Sequence, residues 1–113
     1  MPMMIATDES YEDLVRQPGP VVAVFFRNGE RCYPRIRRAV EDVGRGEMPF
    51  IMVNIEHCRE VQNRWWVVGS PCFRFFRDGL FVAEHLGSFG YEKGDTDEVI
   101  RGKIEKWLAE QMG

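Results

Sequence analysis

Along the chain, hydrophobic positions fall into runs of two kinds. Val21, Val22, Val24, Phe25 and Phe26 form a nearly continuous apolar stretch of strand length, the pattern expected where helices cover both faces of a sheet. Phe50 to Ile55 repeats it. Between the two, Ile36, Ala39, Val40 and Val43 keep helical spacing up to Gly44 and Gly46, with Pro34 in the first turn, where its missing N–H costs little. Ahead of the first run, Tyr11, Leu14 and Val15 mark a short helix that Thr7 or Asp8 can cap and that Pro18-Gly19-Pro20 ends. His57 to Trp66 predicts another helix, with Val61 and Trp65 inward and Trp66, one residue on, facing outward. Cys72 to Phe76 and Leu80 to Ala83 flank Asp78-Gly79, a dipeptide that supplies positive φ for a tight hairpin. From Asp95 a last helix is expected, with Glu98 closing a capping box and Ile100, Ile104, Trp107 and Leu108 as its buried stripe.

The order is therefore αβαβαββα. An early βαβ crossover demands parallel neighbours and a late hairpin demands antiparallel ones, so a mixed sheet between two helix layers follows, a three-layer α/β architecture. The 113 residues suit one domain, 1–113, and 44% hydrophobic with 29% charged residues is ordinary globular composition. A net charge of −3 argues against electrostatic capture of nucleic acid. No run of about 18 apolar residues and no basic, apolar leader is found, so no membrane association or export is expected. Cys32, Cys58 and Cys72 form no CxxC pair, and an odd number leaves at least one thiol free, which suits a reducing compartment such as the cytoplasm. His57 and His85 are isolated and offer no zinc spacing, and no glycine-rich phosphate loop is present, so no cofactor is expected.

Asn54-Ile55-Glu56 ending a strand, then a helix, Gly69-Ser70-Pro71 and a phenylalanine-rich strand ending in Arg77-Asp78-Gly79 resemble the second half of thioredoxins. The resemblance runs from Ile5 to Leu108 and implies the thioredoxin fold. It implies that Pro71 follows a cis peptide beside a reactive cysteine and exposes the Ser70 backbone to an extended partner strand; an ordinary trans turn proline is the alternative. Where thioredoxins place Trp-Cys-Gly-Pro-Cys, this chain has Arg31-Cys32-Tyr33-Pro34-Arg35, so Arg35 replaces the resolving cysteine. Val24 stands where that family buries an acid. The loop is one residue longer, and Phe25 to Cys32 is similar to the single-cysteine loop of phosducin-like proteins and their thioredoxin-domain-containing relatives. Gly94-Asp95-Thr96-Asp97-Glu98, with Ile104-Glu105 and Leu108, resembles the start of their last helix.

Cys32 is the candidate nucleophile, the alternative being a vestigial exposed thiol with no chemistry of its own. A helix start together with Arg31 and Arg35 predicts a lowered pKa and a populated thiolate. Arg27, Arg31, Arg35, Arg37 and Arg38 concentrate positive charge around the same loop, fit either to meet an acidic protein surface or to be solvated. Cys58 is expected to be a structural or exposed free thiol, with oxidation or dimerisation there the lesser option. Cys72 is expected to be a small buried hydrophobe, with reaction toward Cys32 the lesser option.

Two functions follow from these expectations. The first is a protein-binding or regulatory module similar to phosducin-like chaperonin cofactors, using Arg31, Tyr33, Pro34, Ser70, Pro71 and Trp66 to hold a protein partner, either an acidic protein or the cytosolic chaperonin and its clients. The second is a monothiol exchange protein in which Cys32 attacks a mixed disulfide and glutathione, as co-substrate, resolves it. Dithiol oxidoreductase activity is not expected, because one thiolate cannot resolve its own mixed disulfide. An interaction domain with its site elsewhere is the third reading.

Overall fold

A computed structural model describes residues 3–43 and 48–113; Gly44 and Gly46, expected to end the second helix, lie outside the described residues. The chain runs β1 (Met3–Ile5), α1 (Tyr11–Val15), β2 (Pro20–Phe26), α2 (Tyr33–Val43), β3 (Phe50–Asn54), α3 (Arg59–Arg64), β4 (Cys72–Arg77), β5 (Leu80–Leu86), a 3-10 turn (Tyr91–Lys93) and α4 (Asp97–Met112). One sheet has the order β1-β3-β2-β4-β5. β1 and β2 pair parallel with β3, while β4 pairs antiparallel with β2 and β5. The apolar run of β2 is thus the central strand of a mixed sheet, as its pattern implied.

Two helix layers cover that sheet and explain why β2 is apolar throughout. Val21, Ala23 and Phe25 point to one face, into a core with Tyr11, Ile51, Val53, Cys58, Val61 and Cys72. Val22 and Val24 point to the other, with Cys32, Ile36, Val40, Phe73, Phe75, Phe89, Ile100 and Ile104. α1 and α3 therefore pack on the first face, and α2 and α4, in contact with each other, on the second. The hairpin turn has φ of 52° at Asp78 and 82° at Gly79, the mirror-image turn that matches strand twist. Asp78 also accepts from the Gly19 N–H (2.7 Å) and donates its own N–H to the Gly19 carbonyl (3.0 Å), tying the hairpin to the Pro18-Gly19-Pro20 segment.

Four details differ from the expectation. β1 is an additional strand, three residues long at the sheet edge, too short to show a period. Thr7 and Ser10 hydrogen-bond one another before α1, whereas Asp8 turns away and accepts from the Val61 N–H (3.0 Å), capping α3 from a distant loop. α3 spans only Arg59–Arg64, so Trp65 and Trp66 lie beyond the helix. α4 begins at Asp97, with the Thr96 hydroxyl accepting from the Val99 N–H (3.3 Å), so Glu98 closes no capping box. Because Asp8 satisfies an otherwise orphaned helix donor, Asp8→Ala is expected to cost about 1 kcal/mol, measured as a lower midpoint in urea denaturation with unchanged slope.

Candidate functional site

The loop from Arg27 to Arg31 is closed by its own polar groups. Asn28 donates its N–H to Glu56 (2.7 Å), and its side-chain oxygen accepts from the Asn54 amide (2.7 Å), so the end of β3 supports the longer loop. Gly29 takes φ of 76°, which lets the chain turn back. Glu30 then uses both carboxylate oxygens: one accepts from the Arg27 N–H (2.8 Å), the other from the Ser70 hydroxyl (2.9 Å). Through that second bond the cysteine loop is joined to the Ser70-Pro71 loop, whose peptide bond is cis.

Cys32 stands immediately before α2 and its carbonyl accepts from the Ile36 N–H (2.9 Å). Its side chain is 5% exposed and packs in the α2–α4 core. Burial, then the charges of Glu30 and Glu92, push its thiol up to about 11. The lowered pKa expected from the helix start and two arginines is therefore not what the structure holds. Loss of water around a thiolate outweighs the partial charge of a helix end here, and the two charges that act on the thiol are negative. Glu30 and Glu92 are the neighbours that sequence reasoning missed. Glu30 was visible two residues ahead of the cysteine, whereas Glu92 arrives from a turn remote in sequence and had no signal.

Arg35 is engaged elsewhere. Its guanidinium pairs with Asp97 and donates to the Asp95 carbonyl (2.6 Å), lying over the Tyr91 ring at 5.2 Å. It clamps the first turn of α2 to the start of α4. Arg38 also reaches Asp97 (3.3 Å), and Arg37 pairs with Glu41 (3.0 Å) and donates to the Tyr33 hydroxyl (3.2 Å). Three of the five loop arginines are thus bound internally, leaving Arg27 and Arg31 as exposed side chains without an ion pair among the described residues. Tyr33 stacks on Phe26 with ring centres 4.2 Å apart, and Pro34 is exposed.

Trp66 lies on the segment that leads into Ser70-Pro71. It is 77% exposed, with Val68 at 78%, and its backbone has φ of 55°, a region costly for a bulky residue. Arg74 holds it there, donating to the carbonyls of Trp65 (2.6 Å) and Trp66 (2.9 Å) while pairing with Glu84 (2.7 Å). Trp65 packs inward against Tyr11, with ring centres 5.0 Å apart.

The other two thiols are buried. Cys58 donates to the Ala6 carbonyl (3.5 Å) and Cys72 to Glu84 (3.2 Å), and burial raises both pKa values, Cys72 to about 12. Cys72 belongs to the α1–α3 core and Cys32 to the α2–α4 core, so the sheet separates them and no bond between the two is available in this fold. Among the described residues, no group of three or more His, Cys, Asp or Glu side chains is arranged to hold a metal ion, and no helix is long and apolar enough to cross a membrane.

Neither a protein-family model nor a curated protein sequence matches the chain. Its structure is similar to that of oxidised thioredoxin from Plasmodium falciparum, with a TM-score of 0.75 at 22% identity, covering 93% of this chain and 97% of that one. It is similar to a designed protein with a TM-score of 0.75 at 15% identity, covering 95% and 92%. It is also similar to thioredoxin f2 from Chlamydomonas reinhardtii, with a TM-score of 0.71 at 16% identity, covering 80% and 89%. The chain has the thioredoxin fold, as the resemblance of its motifs implied.

Proposed function

We propose that this thioredoxin-fold domain is a protein-binding module that works by holding an extended segment of a partner rather than by exchanging disulfides. The observation that carries the reading is Trp66, an indole left in solvent on a left-handed backbone, pinned by Arg74 and placed just ahead of the cis Ser70-Pro71 loop. A bulky apolar residue held exposed at conformational cost is a natural anchor for a partner. Val68 extends the apolar surface, and Arg31 adds a positive charge that favours an acidic segment. Cys32, by contrast, is covered and protonated near neutral pH, which opposes thiolate chemistry. The likeness of the Cys32 loop to phosducin-like proteins points toward the cytosolic chaperonin or its clients as the partner class, and three reduced thiols suit the cytoplasm.

The test uses affinity capture from cell extract with wild type, Cys32→Ser, Trp66→Ser and Ser70→Arg, read by mass spectrometry. A common partner is expected to be retained by Cys32→Ser and lost by both Trp66→Ser and Ser70→Arg. In parallel, insulin reduction and glutathione-dependent turnover of a mixed disulfide are expected to stay at background. Catalytic turnover that disappears in Cys32→Ser, with no partner sensitive to Trp66, would overturn the reading.

A further inference from the structure

The segment between β5 and α4 builds a second surface, which borders the Ser70-Pro71 loop through the Gly87 N–H donated to the Pro71 carbonyl (2.9 Å). A shallow, open hollow of about 440 Å³ lies there, comparable in volume to small-molecule sites, roughly 300–1,000 Å³. Its floor is aromatic. His85 and Phe89 stack with ring centres 3.7 Å apart and planes inclined by only 9°, and Trp107 meets Phe89 edge-on at 6.1 Å. Phe89 has φ of 54°, so a bulky residue is kept in the left-handed region to form this floor.

Its walls carry positive charge in a chain that is acidic overall. The protein has three lysines, Lys93, Lys103 and Lys106, and all three line this cavity. α4 accounts for two of them, since residues 103, 106, 107 and 110 share one helix face, while the 3-10 turn brings Lys93 from the other side. Lys103 is already paired with Asp95 (2.5 Å). Among the described residues Lys93 and Lys106 have no carboxylate in ion-pair contact, and Glu110 is the one acid on the rim. Two ammonium groups without an ion pair, beside the half-buried rings of His85 and Trp107 that the buried Phe89 backs, match a ligand that joins a planar ring to a compact negative charge.

We infer that this cavity is a binding site for a planar aromatic or heteroaromatic ligand bearing a phosphate, of the nucleoside monophosphate class, with the ring against His85 and Trp107 and the phosphate between Lys93 and Lys106. The site shares no residue with the partner surface proposed above, so either can fail without the other.

Titration of the isotopically labelled chain with adenosine 5′-monophosphate, followed by amide and indole NMR shifts, tests the assignment. Shifts are expected at the Trp107 indole and around His85 and Lys93, saturating with sub-millimolar affinity and weakening as salt rises. Adenosine alone and inorganic phosphate alone are each expected to bind at least about tenfold more weakly. The doubly substituted Lys93→Gln/Lys106→Gln chain, altered only at exposed side chains, is expected to lose at least about tenfold in affinity. Phosphate alone matching the nucleotide would reduce the site to a cation patch, and adenosine alone matching it would remove the role of the lysines; either result overturns the proposal. So would tighter binding of a polyglutamate peptide, unchanged binding by the double variant, or shifts that lie elsewhere.

Discussion

At about pH 7.5 the Cys32 thiol is expected to react with iodoacetamide roughly a hundredfold or more slowly than an unstructured cysteine, whose pKa is about 8.5. Titration near 11 leaves very little thiolate, and 5% exposure restricts the approach of the reagent as well. Alkylation rate against pH, followed by mass spectrometry of the Cys32 peptide, checks this. Glu30→Gln keeps the size of the side chain but removes the charge that faces the thiol, so the rate profile is expected to move to lower pH. Arg31→Glu is expected to move it little, because burial and the two glutamates set the shift. Linkage gives a second readout. A thiol whose folded pKa is raised contributes stability in full below its unfolded value of about 8.5 and loses it as pH climbs toward the folded value. Wild type is therefore expected to lose stability above neutral pH more steeply than Cys32→Ser. A wild-type midpoint at or below that of a free cysteine, or a Glu30→Gln profile identical to wild type, would sink the account.

How far the sequence carries the fold and the site is seen in the elements themselves. β2 and β3 were legible because a strand covered on both faces must be apolar at nearly every position, and the hairpin because Asp78-Gly79 supplies two positive φ values in a row. The stripe Ile100, Ile104 and Leu108 was legible because a helix on a sheet buries one face. β1 was not, since three residues at an edge are held by pairing with β3 and carry no period. The capping of α3 by Asp8 was not, because donor and acceptor lie in different segments and meet only through the tertiary fold. The same reason governs the site. The position of Cys32, the cis bond before Pro71 and the outward Trp66 follow from local pattern or from the thioredoxin resemblance. The charge around Cys32 depends on Glu92, and the disposition of the arginines depends on Asp97, both brought in from the segment after β5. Electrostatics acts through space, so helix-end and near-neighbour reasoning gave the wrong sign for this thiol.

Replacing Arg74 is expected to have the largest effect on stability of any single change outside the apolar cores. Its side chain is 11% exposed and reaches four groups: Glu84, the carbonyls of Trp65 and Trp66, and the Phe25 ring at 5.3 Å. Arg74→Ala strands Glu84, to which the Cys72 thiol is also bonded, and frees both carbonyls. Only the Arg74 end of this pair is buried, so the loss comes from its charge-assisted bond to Glu84 and from the two carbonyls it leaves without a donor, about 2 kcal/mol together. Urea denaturation of wild type and Arg74→Ala measures it. The cost is expected to depend on pH with a definite sign. Hydrogen bonds from Arg74 and Cys72, with the Arg74 charge, hold Glu84 below the usual carboxylate range even though its partial burial acts the other way. The pair's contribution is therefore present above the unfolded carboxylate pKa of about 4.3 and is lost as pH falls through the lower folded value. The gap between wild type and Arg74→Ala should narrow in acid. Arg74→Met/Glu84→Leu separates charge from packing, since an apolar pair of similar volume needs no partner and is expected to recover most of the loss. Release of the Trp66 carbonyl is expected to let the indole leave its left-handed backbone position. Arg74→Met/Glu84→Leu should then be stable yet still impaired in partner capture. A loss below about 0.5 kcal/mol for Arg74→Ala, within the range of ordinary surface substitutions, would show that Arg74 does not hold this segment and would remove the physical basis for Trp66 as a fixed anchor.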